Sequence, residues 1–285
     1  MGDSAALAAA CLSTLAFGTA VVTGKRGLRY RDARAGAAIS IPSATALFIA
    51  AAPFSLDTAG FVVAAALVFA IVGVFFPAAV TLLTFEANDR LGPTVTSAIS
   101  SSAPLFALLA AALVLGESIP AKAVLASLGV LAGISLMSWP RAGEPRRLGW
   151  ALALPLAGAA IRGFAQVAAK AGLALWPNPF AAALIGYIVS SGAVLSADRM
   201  RENRPGGVPG GLAWFVATGL LNGAAVLLMY WALSRAPVAL VAPIVAAFPL
   251  VTALLSIALR EEPARPRQLA GSALIVAAIA WLVAG

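Results

Sequence analysis

Histidine is absent from the 285 residues, so no imidazole general base and no histidine-held metal can be assembled. The single cysteine, Cys11, leaves no internal disulfide and no thiolate metal cluster. Acidic residues are scarce at 11, and the paired acids or activated nucleophile that a membrane-embedded enzyme would need are not legible. Charged residues make up only 11% of the chain, about half the roughly 25% of a soluble domain, which excludes a soluble globular fold. No Gly-rich phosphate loop running into Lys and Ser or Thr is present, so ATP is not the energy source and no cofactor is expected.

What the chain does have is apolar length. Hydrophobic residues reach 61% with a mean hydropathy of +0.97. A helix crosses a bilayer in about 20 residues, and that template predicts an all-α polytopic membrane protein with ten spans. They lie at 4–24, 33–52, 58–83, 93–115, 120–139, 148–171, 179–197, 210–234, 237–259 and 266–284. Apolar residues are nearly continuous over 58–115, and the turn chemistry of Glu86, Asn88, Asp89, Arg90 and Gly92-Pro93 predicts a tight turn there. The first span lacks the basic leader of a secretory signal, so it reads as a true span with Cys11 as a small packing residue. The net charge of +8 belongs at the membrane surface beside anionic headgroups; the partner is the lipid bilayer, with no nucleic acid.

A single offset of 145 residues lays 1–140 over 146–285 without gaps. Gly18 falls on Gly163, Lys25 on Lys170, Gly27-Leu28 on Gly172-Leu173, Arg90 on Arg235, Pro104-Leu105 on Pro249-Leu250 and Glu117 on Glu262. Five spans per half is an odd number, so the second half enters the membrane from the opposite side. Two inverted five-helix repeats, 1–140 and 146–285, are the architecture of many secondary transporters, and a monomer then contains its own two-fold relation. Fifteen of the 19 Lys and Arg flank the loops after spans 1, 3, 5, 7 and 9, which marks that side as cytoplasmic and puts both termini in the periplasm.

Both halves end alike. Ala103-Pro104-Leu105-Phe106-Ala107-Leu108-Leu109, Leu115-Gly116-Glu117 and Leu128-Gly129-Val130-Leu131-Ala132-Gly133 are answered by Phe248-Pro249-Leu250-Val251-Thr252-Ala253-Leu254, Arg260-Glu261-Glu262 and Leu269-Ala270-Gly271. The pattern resembles the EamA family of the drug/metabolite transporter superfamily, across the whole chain. The resemblance implies a bacterial inner-membrane carrier that exports or exchanges small metabolites, with the YddG-like aromatic amino acid exporters as a plausible branch. Aromatic or other neutral amino acids are therefore the expected small-molecule partners, moved by alternating access through a central cavity between the repeats.

An ionisable side chain at membrane depth is a functional candidate by default. Arg162 lies within the sixth span with Gln166 four residues on, on the same helical face. A planar guanidinium beside an amide suits a carboxylate; the alternative is that Arg162 snorkels or bonds a backbone carbonyl. Ser100 and Ser101, among the fourth-span hydroxyls Thr94, Thr96, Ser97 and Ser102, offer hydrogen bonds to a zwitterion or serve simply as small packing residues. Asn222, Tyr230 and Phe17 complete the candidate substrate site, although Tyr230 with Trp231 also fits an interfacial belt, and Phe17, like Phe75, Phe76 and Phe164, also fits a lipid-facing surface. Pro104, Pro243 and Pro249 are the candidate hinges. Glu86 is the candidate coupling acid, or the ion-pair partner of Arg90 one turn away. Glu117, Glu262, Lys25 and Lys170 recur at span ends and read as caps and loop anchors. A multidrug carrier, uptake or exchange, and a lipid flippase stand as alternative functions.

Overall fold

The computed structural model describes residues 4–138, 150–200, 210–261 and 265–284, with the side chains of 85, 88, 89, 92–95, 97 and 98 outside that description. Thr94, Ser97 and Glu262 therefore fall outside the described side chains. The described chain is all helix and turn: α1 (Ser4–Gly27), α2 (Ala33–Ser55), α3 (Val63–Gly73), α4 (Val80–Ser100), α5 (Ala103–Val114), α6 (Ala121–Met137), α7 (Ala153–Leu175), α8 (Pro179–Arg199), α9 (Gly211–Leu233), α10 (Val238–Ala246), α11 (Phe248–Ala258) and α12 (Pro266–Val283).

Starts follow the local chemistry. Asp32 accepts the Ala35 N–H at 2.8 Å to cap α2, and Asn178 accepts the Ala181 N–H at 2.9 Å to cap α8, with Pro179 in its first turn. Between α3 and α4 the helix is interrupted at Phe76, which is extended (φ −132°, ψ 122°) because the residue before Pro77 is driven out of the α region.

Among the described residues eight helical stretches are long and apolar enough to cross a membrane, the third joining α3 to the start of α4 and the seventh joining α10 to α11. The spans expected at 93–115 and 120–139 take a different form. The first is split between α4 and the 12-residue α5; the second, α6, has 17 residues, about 26 Å at 1.5 Å per residue against a hydrocarbon core of about 30 Å. The tight turn expected over Glu86–Pro93 is a correction: α4 is helical from Val80 to Ser100. Within it Arg90 Nε donates to Glu86 Oε1 at 2.6 Å, and its guanidinium lies 4.4 Å from the centre of the Trp150 ring. These two contacts tie down the stretch whose turn-forming composition points the other way, and the break falls instead at Ser101-Ser102.

Two compact units emerge, each drawing on both halves of the sequence: Met1–Thr81 with Ala168–Arg235, and Leu82–Val167 with Ala236–Gly285. In the first, small residues let backbones meet and hydroxyls bond across the helices. Ser13 donates to the Ala225 carbonyl at 2.7 Å, Thr23 and Thr218 share a 2.8 Å bond, and Thr45 bonds Ser191 at 2.6 Å and the Tyr187 carbonyl at 3.0 Å. Gly27 and Gly36 lie under the Phe215 ring, Gly172 under the Phe69 ring, Gly73 against the Gly186 backbone and Gly219 against the Ser40 carbonyl. Thr45 meets Ser191 while Phe48, three residues on, meets Phe180, so α2 and α8 run antiparallel.

The second unit is built on α6 against α12. A Cβ on Gly133 would lie 2.8 Å from the Gly271 carbonyl, and Val130, Ile134, Ile275 and Ala278 fill the contact. Gly129 faces Ala278 further along, so this pair is also antiparallel. The α5–α6 loop holds α10 in place, because Glu117 Oε2 accepts the Val238 N–H at 3.0 Å at the positive end of that helix. Glu117→Ala is expected to lower stability by about 1 kcal/mol in thermal unfolding, with Glu117→Gln keeping part of it through its amide oxygen.

Candidate functional site

The fourth and ninth expected spans are interrupted at matching places. Ser102 stands between α4 and α5 (φ −73°, ψ −6°), and Ala247, 145 residues later, stands between α10 and α11 (φ −79°, ψ 4°). The bonds around them correspond: Ser102 N–H to Ile99 O at 3.0 Å and Leu105 N–H to Ser102 O at 2.9 Å, against Ala247 N–H to Ile244 O at 3.1 Å and Leu250 N–H to Ala247 O at 2.9 Å. Pro104 and Pro249 sit in the first turn of the helix that follows, where an amide hydrogen has no helical acceptor to lose. They start helices rather than kinking the middle of one. Of the three candidate hinges, Pro243 is the one inside a helix, buried within α10.

α7 is seated on the first of these breaks. A Cβ on Gly163 would lie 2.7 Å from the Ala107 amide nitrogen and 2.8 Å from the Ala103 carbonyl, so only glycine allows α7 this close to the start of α5. The neighbouring residue, Arg162, holds its guanidinium carbon 5.8 Å from the centre of the Phe248 ring, which opens α11 after the second break. Two neighbouring residues of α7 thus each meet one broken span, Gly163 the first and Arg162 the second. Arg162 is half-buried and, among the described residues, has no carboxylate partner. The ring contact is near the 6 Å outer limit for a cation over an aromatic face and contributes at most about 1 kcal/mol, while a central arginine costs about 2.5–3.5 kcal/mol on insertion scales.

Gln166, one turn along the same face, is buried at 6% exposure, and its Oε1 has no hydrogen-bond partner among the described residues. Thr96 Oγ1, in α4 of the same unit, is likewise buried and unpartnered. Ser101 is buried and Ser100 half-buried at the end of α4. Glu86 is about two-fifths exposed and paired with Arg90.

The remaining candidates belong to the other unit. Phe17 and Asn222 are half-buried, whereas Tyr230 is buried at 3% exposure. Burial separates Tyr230 from an interfacial belt; Trp231 fits that role better, half-buried with the Arg235 guanidinium 4.3 Å from its ring centre. Phe75 and Phe164 are about half exposed, as lipid-facing rings would be, and Phe76 is buried. This unit also holds an open cavity of about 780 Å³ at the ends of its helices, lined among others by Leu12, Asp57, Trp176, Phe180 and Trp231. Tyr187, buried on α8 with its ring 5.3 Å from Phe48, escaped the sequence reading; an aromatic hydroxyl in the middle of an otherwise apolar span was the available signal. Phe248 escaped it too, its neighbour Pro249 having drawn the attention.

The sequence profile of the EamA-like transporter family matches residues 4–139 and again residues 149–284. A solved crystal structure superposes with a TM-score of 0.81 at 20% identity, covering 100% of this chain and 98% of that one, a likeness of fold alone. No curated protein matches the sequence. With the family's profile met in both halves and, among the described residues, eight apolar helices of membrane-crossing length, the chain belongs to the EamA-like transporter family of the drug/metabolite transporter superfamily, a family of multi-pass membrane transporters of small metabolites.

Proposed function

We propose that the chain exports small amphipathic metabolites, amino acids first and aromatic ones foremost, by alternating access across the bacterial inner membrane. Arg162 carries this reading: a half-buried cation with no carboxylate partner among the described residues, set against Phe248 at the start of one interrupted helix and next to Gly163, which meets the start of the other. Its two parallel N–H groups match the two oxygens of a carboxylate.

The architecture behind the proposal is ten spans arranged as two inverted repeats. Two pairs of repeat counterparts, α2 with α8 and α6 with α12, lie in contact and run antiparallel, which supports inversion. Close contacts also come in matched pairs: Gly27 on Phe215 mirrors Gly172 on Phe69, within one residue of the 145-residue offset. The matched interruptions at Ser102 and Ala247 would let each half-helix tilt while keeping its own hydrogen bonds, the kind of hinge that rocking between two states needs.

Glu86 is about two-fifths exposed and paired with Arg90, so we read it as an ion-pair residue and not as a coupling acid. Glu86→Gln is expected to keep at least half of the amino acid flux into proteoliposomes without an imposed ion gradient. A loss beyond tenfold would return a coupled, cation-extruding carrier to first place. The governing test is saturable flux of radiolabelled phenylalanine in the same vesicles, which a lipid flippase or a non-transporting scaffold would not show.

A further inference from the structure

Gln166 raises a question that binding of an anion by Arg162 does not answer. Its amide is buried, and its oxygen meets no donor among the described residues. Burying a polar group without a partner is unfavourable, and Lys170, four residues further along the same helix, does not bond the Gln166 oxygen. Residues four apart on a helix have their Cβ atoms about 6 Å apart, so one small ligand can touch both side chains.

Arg162 supplies donors only, and Gln166 oxygen is an acceptor. A ligand that satisfies both must carry a carboxylate and, within a few bonds of it, a hydrogen-bond donor, of which an ammonium forms the stronger, charge-assisted bond. From this pairing we infer that Gln166 is the specificity-determining residue that selects α-amino acids over their amine-free counterparts, its amide oxygen accepting a hydrogen bond from the ligand's ammonium while Arg162 holds the carboxylate. The inference rests on the carrier reading above and adds to it the reason for preferring an amino acid over any other small carboxylate. A charge-assisted hydrogen bond to a buried acceptor corresponds to a preference of about tenfold to a hundredfold.

The test uses the full chain in proteoliposomes loaded for exchange of radiolabelled L-phenylalanine, with unlabelled L-phenylalanine or 3-phenylpropanoate as competitor. The two share every carbon and the carboxylate and differ only in the amine. The unsubstituted protein is expected to prefer phenylalanine at least tenfold. Gln166→Leu, which keeps the volume and removes the acceptor, is expected to bring the two competitors within about threefold of each other, and Gln166→Glu to restore the preference. Heat-induced unfolding of each detergent-solubilised variant with either ligand reads the same selectivity without transport and shows whether the variant is folded. Exchange of phenylalanine with no preference over 3-phenylpropanoate, or a preference that survives Gln166→Leu, overturns the role of Gln166 and leaves the carrier reading intact. No exchange and no ligand-induced stabilisation by phenylalanine overturns both.

Discussion

Arg162→Ala is expected to reduce saturable amino acid flux in proteoliposomes about a hundredfold. Two charge-assisted hydrogen bonds to a carboxylate are together worth about 3 kcal/mol or more, which is two orders of magnitude in binding. Arg162→Lys should recover part of it, falling about tenfold short, because an ammonium keeps the charge and loses the planar fork. Stability is the second readout. The Phe248 ring compensates Arg162 only weakly, so the alanine variant should unfold at the same temperature as the unsubstituted protein or slightly higher. Lost flux with retained stability separates a ligand-binding arginine from one that merely anchors α7. Flux within threefold of the unsubstituted protein would remove Arg162 from the site and restore the snorkelling alternative.

Gly219→Val is expected to have the largest structural effect. The Gly219 Cα faces the Ser40 carbonyl across the α2–α9 contact, and the obstacle is backbone, which cannot rotate aside as a side chain can. Adding a branched side chain there forces the helices apart, and the same contact carries Gly223 against Ala44 and Phe48 one turn on. A cost of about 3 kcal/mol, near the upper end for overpacking, would be enough to unfold a marginally stable carrier in detergent. Gly192→Ala is the matched comparison. Gly192 lies inside α8 with nothing within 4 Å of where a Cβ would stand, so a methyl group there meets open space and should raise stability by about 0.5–1 kcal/mol through helix propensity. Equal thermal shifts for the two variants would mean that the close approach of α2 and α9 is not what holds the first unit together.

The reading of the sequence succeeded where composition and periodicity leave one physical solution. A chain with 11% charge, no histidine and apolar runs of span length has to be a bundle of membrane helices. The 145-residue offset paired Pro104 with Pro249 as candidate hinges within continuous spans, whereas each opens a new helix after a matched interruption. Local turn chemistry was less reliable. The stretch from Glu86 to Pro93 reads as a turn by composition, yet it is helical, with the Glu86–Arg90 pair and the Trp150 ring alongside. Neither the register of a helix nor its neighbour can be read from residues considered one at a time.

Arg162 and Gln166 were visible in the sequence as two polar residues in an apolar span, four residues apart. Their accounts with the rest of the protein were not. Only tertiary packing decides that, among the described residues, Arg162 meets the Phe248 ring and no carboxylate and the Gln166 oxygen meets no donor, and that Gly163 presses α7 onto the start of α5. Tyr230 shows the same division: its amphipathic chemistry allowed a belt position, and packing buried it. The sequence by itself determined the solvent the chain lives in, its repeat and its family, since these depend on composition and on the order of apolar runs. Which polar groups are left unpaired, and so available to a ligand, was decided by the tertiary structure, because satisfaction of a buried group depends on what lies within about 3 Å of it in space and not on its position along the chain.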